Sequence, residues 1–162
     1  MNGAARMKSS PPSSSRRPGD SGIVERTRQR SILIVDPDRA ARTPLALLLS
    51  DRYAVYEAED GRMARRLASM IQNLAVVIAE VKLPTLDGLD LAKVWKSHDA
   101  LKHIPFVFLS AGVSPNDVMR LTACGAREYL DKKLAPRTLA RLVGKIARVT
   151  PLSYGEDLRA TK

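Results

Sequence analysis

Ser31-Ile32-Leu33-Ile34-Val35-Asp36-Pro37-Asp38 sets an unbroken apolar run directly against an acidic turn. Continuous rather than alternating apolarity fits a strand covered on both faces, as inside a parallel sheet. Similar runs recur at Leu74-Ala75-Val76-Val77-Ile78-Ala79 and over residues 104–109. Shorter candidates are Tyr53-Ala54-Val55-Tyr56-Glu57 and Ala126-Arg127-Glu128-Tyr129-Leu130.

Helical segments lie between these runs. Leu45, Leu47, Leu48 and Leu49 belong to a first helix, with Thr43 as its cap and Pro44 in the first helical position, where the missing N–H costs nothing. Residues 62–72 and 89–98 are the second and third. Ser114-Pro115-Asn116-Asp117 reads as an N-cap, a first-turn proline and a capping-box acid, opening a helix through Cys124 that Gly125 stops. Pro136 opens the last helix, with Leu139, Leu142, Val143 and Ile146 as its buried stripe. Five strands thus alternate with five helices in roughly 120 residues, the size of one domain. Right-handed crossovers then place helices on both faces of the sheet. The expected fold is α/β: a flavodoxin-like, doubly wound, five-stranded parallel sheet over residues 31–149. In such folds ligands sit at the carboxyl ends of the strands.

Composition bounds what surrounds this domain. The chain has 162 residues and a formal net charge of +10. Seven basic side chains against Asp20 and Glu25 place half of that excess in residues 1–30. That Ser/Pro/Arg-rich stretch has little to bury and is expected to be a disordered, solubilising tail. Nucleic-acid binding or attraction to an anionic membrane is the less favoured reading of its charge. Residues 150–162 read as a polar C-terminal tail, too short for an output domain, so a stand-alone module is expected. Cys124 is the single cysteine, which excludes an internal disulfide and a thiolate metal cluster. No apolar run approaches the roughly 20 residues of a membrane span, and residues 1–30 lack the core of a secretory signal. A cytoplasmic location is expected.

Each strand is followed by a telling residue: Asp36 after the first, Glu80 after the third, Ser110-Ala111 after the fourth and Lys132 after the fifth. Two carboxylates, a hydroxyl and an ammonium should therefore converge at one rim of the sheet.

Over residues 31–149 the chain resembles the bacterial two-component response-regulator receiver family. The resemblance is carried by Ile32-Leu33-Ile34-Val35-Asp36, Leu83-Pro84-Thr85-Leu86-Asp87-Gly88-Leu89, Phe108-Leu109-Ser110-Ala111 and Gly125-Ala126-Arg127-Glu128-Tyr129-Leu130-Asp131-Lys132. It implies phosphorelay signalling, in which an aspartate ending strand three accepts a phosphoryl group from a histidine kinase. Two acids after strand one help to hold Mg²⁺, and a Ser or Thr and a Lys contact the phosphoryl oxygens. By position, Asp36 matches the first acid, Ser110 and Lys132 match the phosphoryl contacts, and Tyr129 takes the place of the switch aromatic.

Three positions depart from that pattern: Pro37 replaces the second acid, Glu80 the acceptor aspartate, and Lys133 the usual proline after the lysine. Mg²⁺ demands near-octahedral oxygen ligands at about 2.0–2.1 Å, so losing a carboxylate weakens the site. Glu80 adds a carbon–carbon bond, about 1.5 Å of reach, to a transfer that depends on positioning. The expectation is a pseudo-receiver without conventional aspartyl phosphorylation, no enzymatic activity, and a Mg²⁺ site at Asp36 that is weak or absent. Glu80 is expected to extend toward Ser110 and Lys132, either as a stand-in for phosphate or as a plain structural pair. A carboxylate has one negative charge and phosphate nearer two, so the mimicry is incomplete. A working phosphoacceptor with a weakened metal site is the alternative. A flavin or nucleotide carrier is disfavoured because Asp36 and Asp38 would repel phosphate where a Gly-rich loop is needed.

Other polar residues have plainer readings. Asp38 is better suited to cap the first helix than to replace the missing acid. His98 and His103 have no further metal-ligating residues nearby in sequence and read as surface residues, Cys124 suits packing, and Trp95 is core or rim. Arg137, Arg141, Lys145 and Arg148 recur at near-helical spacing opposite the apolar stripe. The resemblance places partner and dimer contacts on the surface of helix four, strand five and helix five. A basic row there selects an acidic protein surface, such as that of a histidine kinase or a downstream signalling protein.

Overall fold

The computed structural model describes residues 29–112 and 114–150. The tail expectations for residues 1–28 and 151–162 lie outside them. Five strands, β1 (Ser31–Val35), β2 (Ala54–Ala58), β3 (Leu74–Ala79), β4 (Phe106–Ser110) and β5 (Glu128–Asp131), form one sheet in the order β2-β1-β3-β4-β5, every pairing parallel. They alternate with α1 (Arg39–Ser50), α2 (Gly61–Ala68), α3 (Gly88–Ser97), α4 (Pro115–Ala123) and α5 (Pro136–Val149).

The continuous apolar runs are explained by two cores, one on each face. Within β1, Leu33 and Val35 join Trp95, Phe106 and Phe108 on one face, while Ile32 and Ile34 join Leu45, Leu49, Val143 and Ala147 on the other. Strand periodicity sends successive side chains to opposite faces, so both must be apolar. Trp95 is core, 1% exposed and edge-on to Phe106.

Local caps fix the ends of most helices. Asp38 Oδ1 accepts the Ala40 N–H, Asp87 Oδ1 accepts that of Leu89, and Ser114 and Asp117 complete a reciprocal capping box. Gly125 follows α4 at φ +80, a conformation glycine adopts without steric penalty.

Several boundaries differ from the sequence reading. α1 begins at Arg39, not Pro44, because Asp38 supplies the cap; Pro44 sits inside the helix. Only Leu45 and Leu49 of its leucines are buried, whereas Leu47 and Leu48 are exposed. α2 stops at Ala68 rather than residue 72, since the Met70 and Ile71 amides both turn back to Leu67 O before Asn73 at φ +55. Arg30 belongs to the domain: its Nη1 donates to Ala147 O at 2.6 Å and Thr150 O at 2.5 Å. Thr150 belongs to it too: it is buried, with Oγ1 donating to Ile146 O. These contacts tie the two ends of the domain together.

Candidate functional site

Parallel register levels the strand ends. Val35 pairs with Ala79, and the next residue, Glu80, donates its N–H to Val35 O at 2.8 Å. Asp36 and Glu80 therefore leave neighbouring strands side by side. On the other flank Ser110 pairs with Asp131, and the Lys132 N–H donates to Ser110 O at 3.0 Å. The four residues expected to converge do so.

Lys132 is the hub. Its Nζ lies 2.5 Å from Asp36 Oδ2 and 2.5 Å from Glu80 Oε2. The side chains are 18% exposed for Lys132, 3% for Asp36 and 10% for Glu80, so water does little to screen the attraction. The remaining oxygens are also engaged. Asp36 Oδ1 accepts the Asp38 N–H at 2.8 Å, and Glu80 Oε1 accepts those of Val81 at 2.7 Å and Lys82 at 3.3 Å. Burial works to lower the Lys132 pKa, but hydrogen bonds and charge from Asp36 and Glu80 outweigh it and leave the pKa raised.

Ser110 joins largely through its backbone. Its carbonyl accepts the Lys132 N–H and the Tyr129 hydroxyl at 3.1 Å. Among the described residues no hydrogen bond joins Glu80 to Ser110, so the expected reach of Glu80 is realised at Lys132 alone. Tyr129 is half-buried against the core beneath α2–α4. Burial, then the negative charges of Asp131 and Glu80, raise its phenol pKa.

At the departures, Pro37 brings no side-chain oxygen. The Lys133 N–H donates to Asp131 Oδ1 at 2.8 Å, a bond a proline cannot make. Asp38 caps α1 through Oδ1, and its side chain is exposed.

Two contributors escaped the sequence reading. Arg42, on α1, donates from Nη1 to Asp36 O while its Nε pairs with Glu57 Oε2 at 3.0 Å. Its guanidinium thus fastens the loop carrying Asp36. Gly88, quoted in the Asp-Gly segment but given no role there, is the second: a Cβ at this position would meet Glu80 O at 2.4 Å and Val81 O at 2.8 Å. The Asp-Gly pair therefore lets α3 start against the Glu80 backbone, a close approach only glycine permits.

Arg137, Arg141, Lys145 and Arg148 are all exposed on α5, opposite buried Leu139, Val143 and Ile146. His98 and His103 are exposed, and Cys124 donates its thiol to Leu121 O. Among the described residues no cluster of three or more His, Cys, Asp or Glu is placed to hold a metal. No described helix is long and apolar enough to cross a membrane.

Comparison with known proteins agrees with this geometry. The response regulator receiver domain family matches residues 32–144. A two-component response regulator of rice, ORR3 (Oryza sativa subsp. indica), is 32% identical over 116 residues, covering 71% of this chain and 88% of that protein. A gliding motility regulatory protein of Myxococcus xanthus is 34% identical over 122 residues, 74% of this chain but 15% of that protein. Among solved structures, the chemotaxis response regulator CheY4 of Vibrio cholerae superposes with a TM-score of 0.67 at 28% identity, covering 73% of this chain and 98% of that one. Rice proteins stand beside bacterial ones, so the resemblance is to receivers generally and not to a bacterial type alone.

Proposed function

Because this chain belongs to the response regulator receiver domain family of two-component signalling, we propose that it is an atypical member whose resting state is set by a permanent ion triad instead of aspartyl phosphorylation. The observation carrying this reading is the Lys132 ammonium, 2.5 Å from both Asp36 and Glu80, with Glu80 in the acceptor position.

The donor set does not fit Mg²⁺. A hard divalent ion needs several oxygens free to face it. Here each carboxylate oxygen already accepts from the ammonium or a backbone N–H, and Pro37 offers none. Glu80 is also committed by the Val81 and Lys82 amides, which hold its carboxylate back from in-line attack on a phosphodonor. The triad then occupies the place where a phosphoryl group would meet Lys132, and the domain acts by binding and not by turnover.

The favoured binding face is α4–β5–α5. α4 buries only Leu121 and leaves Val118 and Met119 exposed, while α5 adds its arginine and lysine row. An apolar patch beside cations suits an acidic protein surface, that of a histidine kinase or a downstream signalling protein, with a homodimer as the other occupant. The cytoplasm is the setting this reading implies.

Incubation with acetyl phosphate and Mg²⁺, read by intact mass, tests the proposal. The native chain is expected to gain no phosphoryl group, and the Pro37→Asp/Glu80→Asp double variant to gain one. A stoichiometric phosphoryl group on Glu80 of the native chain would overturn the proposal in favour of a working phosphoacceptor.

A further inference from the structure

A cavity of about 910 Å³ lies between α2 and α3 and shares no residue with the Lys132 site. Its size falls within the range of small-molecule pockets, roughly 300–1,000 Å³. The two walls differ in chemistry. α2 contributes Arg62, Arg65 and Arg66. Their i, i+3 and i, i+4 spacings put them on one helix face. α3 contributes apolar Leu91, Val94 and Trp95.

The polar groups lining the cavity fall into two sets: Asp60 Oδ1 accepts the Met63 N–H, Ser69 Oγ donates to Arg66 O and Thr85 Oγ1 to Pro84 O, whereas the three arginine side chains are unengaged. Among the described residues none of the three guanidiniums makes an ion pair or hydrogen bond, although ion pairs form elsewhere on the surface. The Trp95 indole N–H is buried and likewise without an acceptor, where buried donors are ordinarily satisfied. Thr85, at the rim, holds a positive φ of 66, uncommon for a β-branched residue.

From this pairing of unmatched cations with an apolar wall, we infer that the α2–α3 cavity is a ligand site for a small molecule carrying an anionic group on an apolar or aromatic body. Guanidinium forks match phosphate and carboxylate oxygens alike. The apolar body lies against Val94 and the arginine stems, above the buried Leu91 and Trp95, while the anion meets the guanidiniums. The inference does not depend on the phosphorylation state of the domain.

Trp95 is the sole tryptophan, so its indole gives one N–H resonance for the whole chain. ¹H–¹⁵N spectra of the full chain are titrated with 1-naphthyl phosphate, 1-naphthylacetate, inorganic phosphate and 1-naphthol. A saturable shift of the Trp95 indole is expected with one or both naphthyl anions, at least tenfold tighter than with phosphate or naphthol. Their relative affinity separates phosphate from carboxylate recognition. An Arg65→Ala/Arg66→Ala variant, exposed and with its other amide peaks unmoved, should bind at least tenfold more weakly; Arg141→Ala on α5 should bind as the native chain does. Naphthol binding as tightly as the anions, the double variant binding unchanged, or the indole failing to shift with either anion would each overturn the inference.

Discussion

At the scale of single residues, Lys132 neutralises two carboxylates that would otherwise repel each other in a poorly hydrated corner. Removing one partner of a buried pair costs about 3–5 kcal/mol, and Lys132 keeps 18% of its side-chain exposure. Lys132→Met is therefore expected to lower unfolding free energy by about 2–4 kcal/mol in denaturant titrations. The pH dependence has a definite sign. The folded pKa of Lys132 is raised above its ordinary 10.5, so the stabilisation is whole below that value and is lost as pH climbs through the folded pKa. The stability gap between native chain and variant should hold from neutral pH to about 10 and shrink beyond it. Tyr129 gives a second alkaline test. Of four phenols, the ionisation missing from the absorbance titration of Tyr129→Phe should lie above the ordinary value of about 10. Asp36, Glu80, Ser110 and Lys132 were legible in the sequence because each lies within two residues of the end of a strand-like run. Arg42 was not: an arginine six residues past Asp36 looks like any exposed helix charge until α1 starts early enough to aim it at Asp36 O.

At the scale of elements, caps and close approaches decide where helices begin. Pro44 interrupts α1 while exposed, so it removes a backbone bond without contributing packing. An interior proline costs about 3 kcal/mol relative to alanine, offset by roughly 0.4–1 kcal/mol through a stiffer unfolded chain. Pro44→Ala should stabilise the domain by about 2–2.5 kcal/mol, read as a higher denaturant midpoint with an unchanged slope. Gly88→Ala should act oppositely. Its Cβ would collide with Glu80 O, and forced overpacking costs about 1–3 kcal/mol. Because that backbone carries the Glu80 carboxylate, the Val81 and Lys82 amide resonances should move as well. The sequence placed Pro44 at a helix start because proline at the first position is the commonest way to reconcile it with a helix. Asp38, the true cap, was read as suited to that role, but Thr43 was read as the cap as well, because it stands directly before Pro44. The shortened α2 was equally hidden, since periodicity continues past Ala68 while the backbone bonds that end the helix leave no mark in composition.

At the scale of the whole molecule, the fold was legible because a doubly covered sheet demands continuous apolar strands, and few architectures alternate those with helices. The domain ends were less so. Arg30 reads as the last of a basic tail, yet it holds the carbonyls of Ala147 and Thr150, a pairing across the chain that no local pattern announces. Arg30→Ala is expected to cost about 1–3 kcal/mol, typical of charged-group hydrogen bonds, with hydrogen exchange accelerated first at the end of α5. A permanent triad leaves no room for a metal at the sheet rim. Mg²⁺ titration of the full chain tests this directly, followed through the amide resonances of Asp38, Val81 and Lys82, whose N–H groups bind the two carboxylates. No saturable shift is expected in the native chain, and a saturable one in the Pro37→Asp/Glu80→Asp variant. Saturable movement of those three amides in the native chain would contradict the permanent triad.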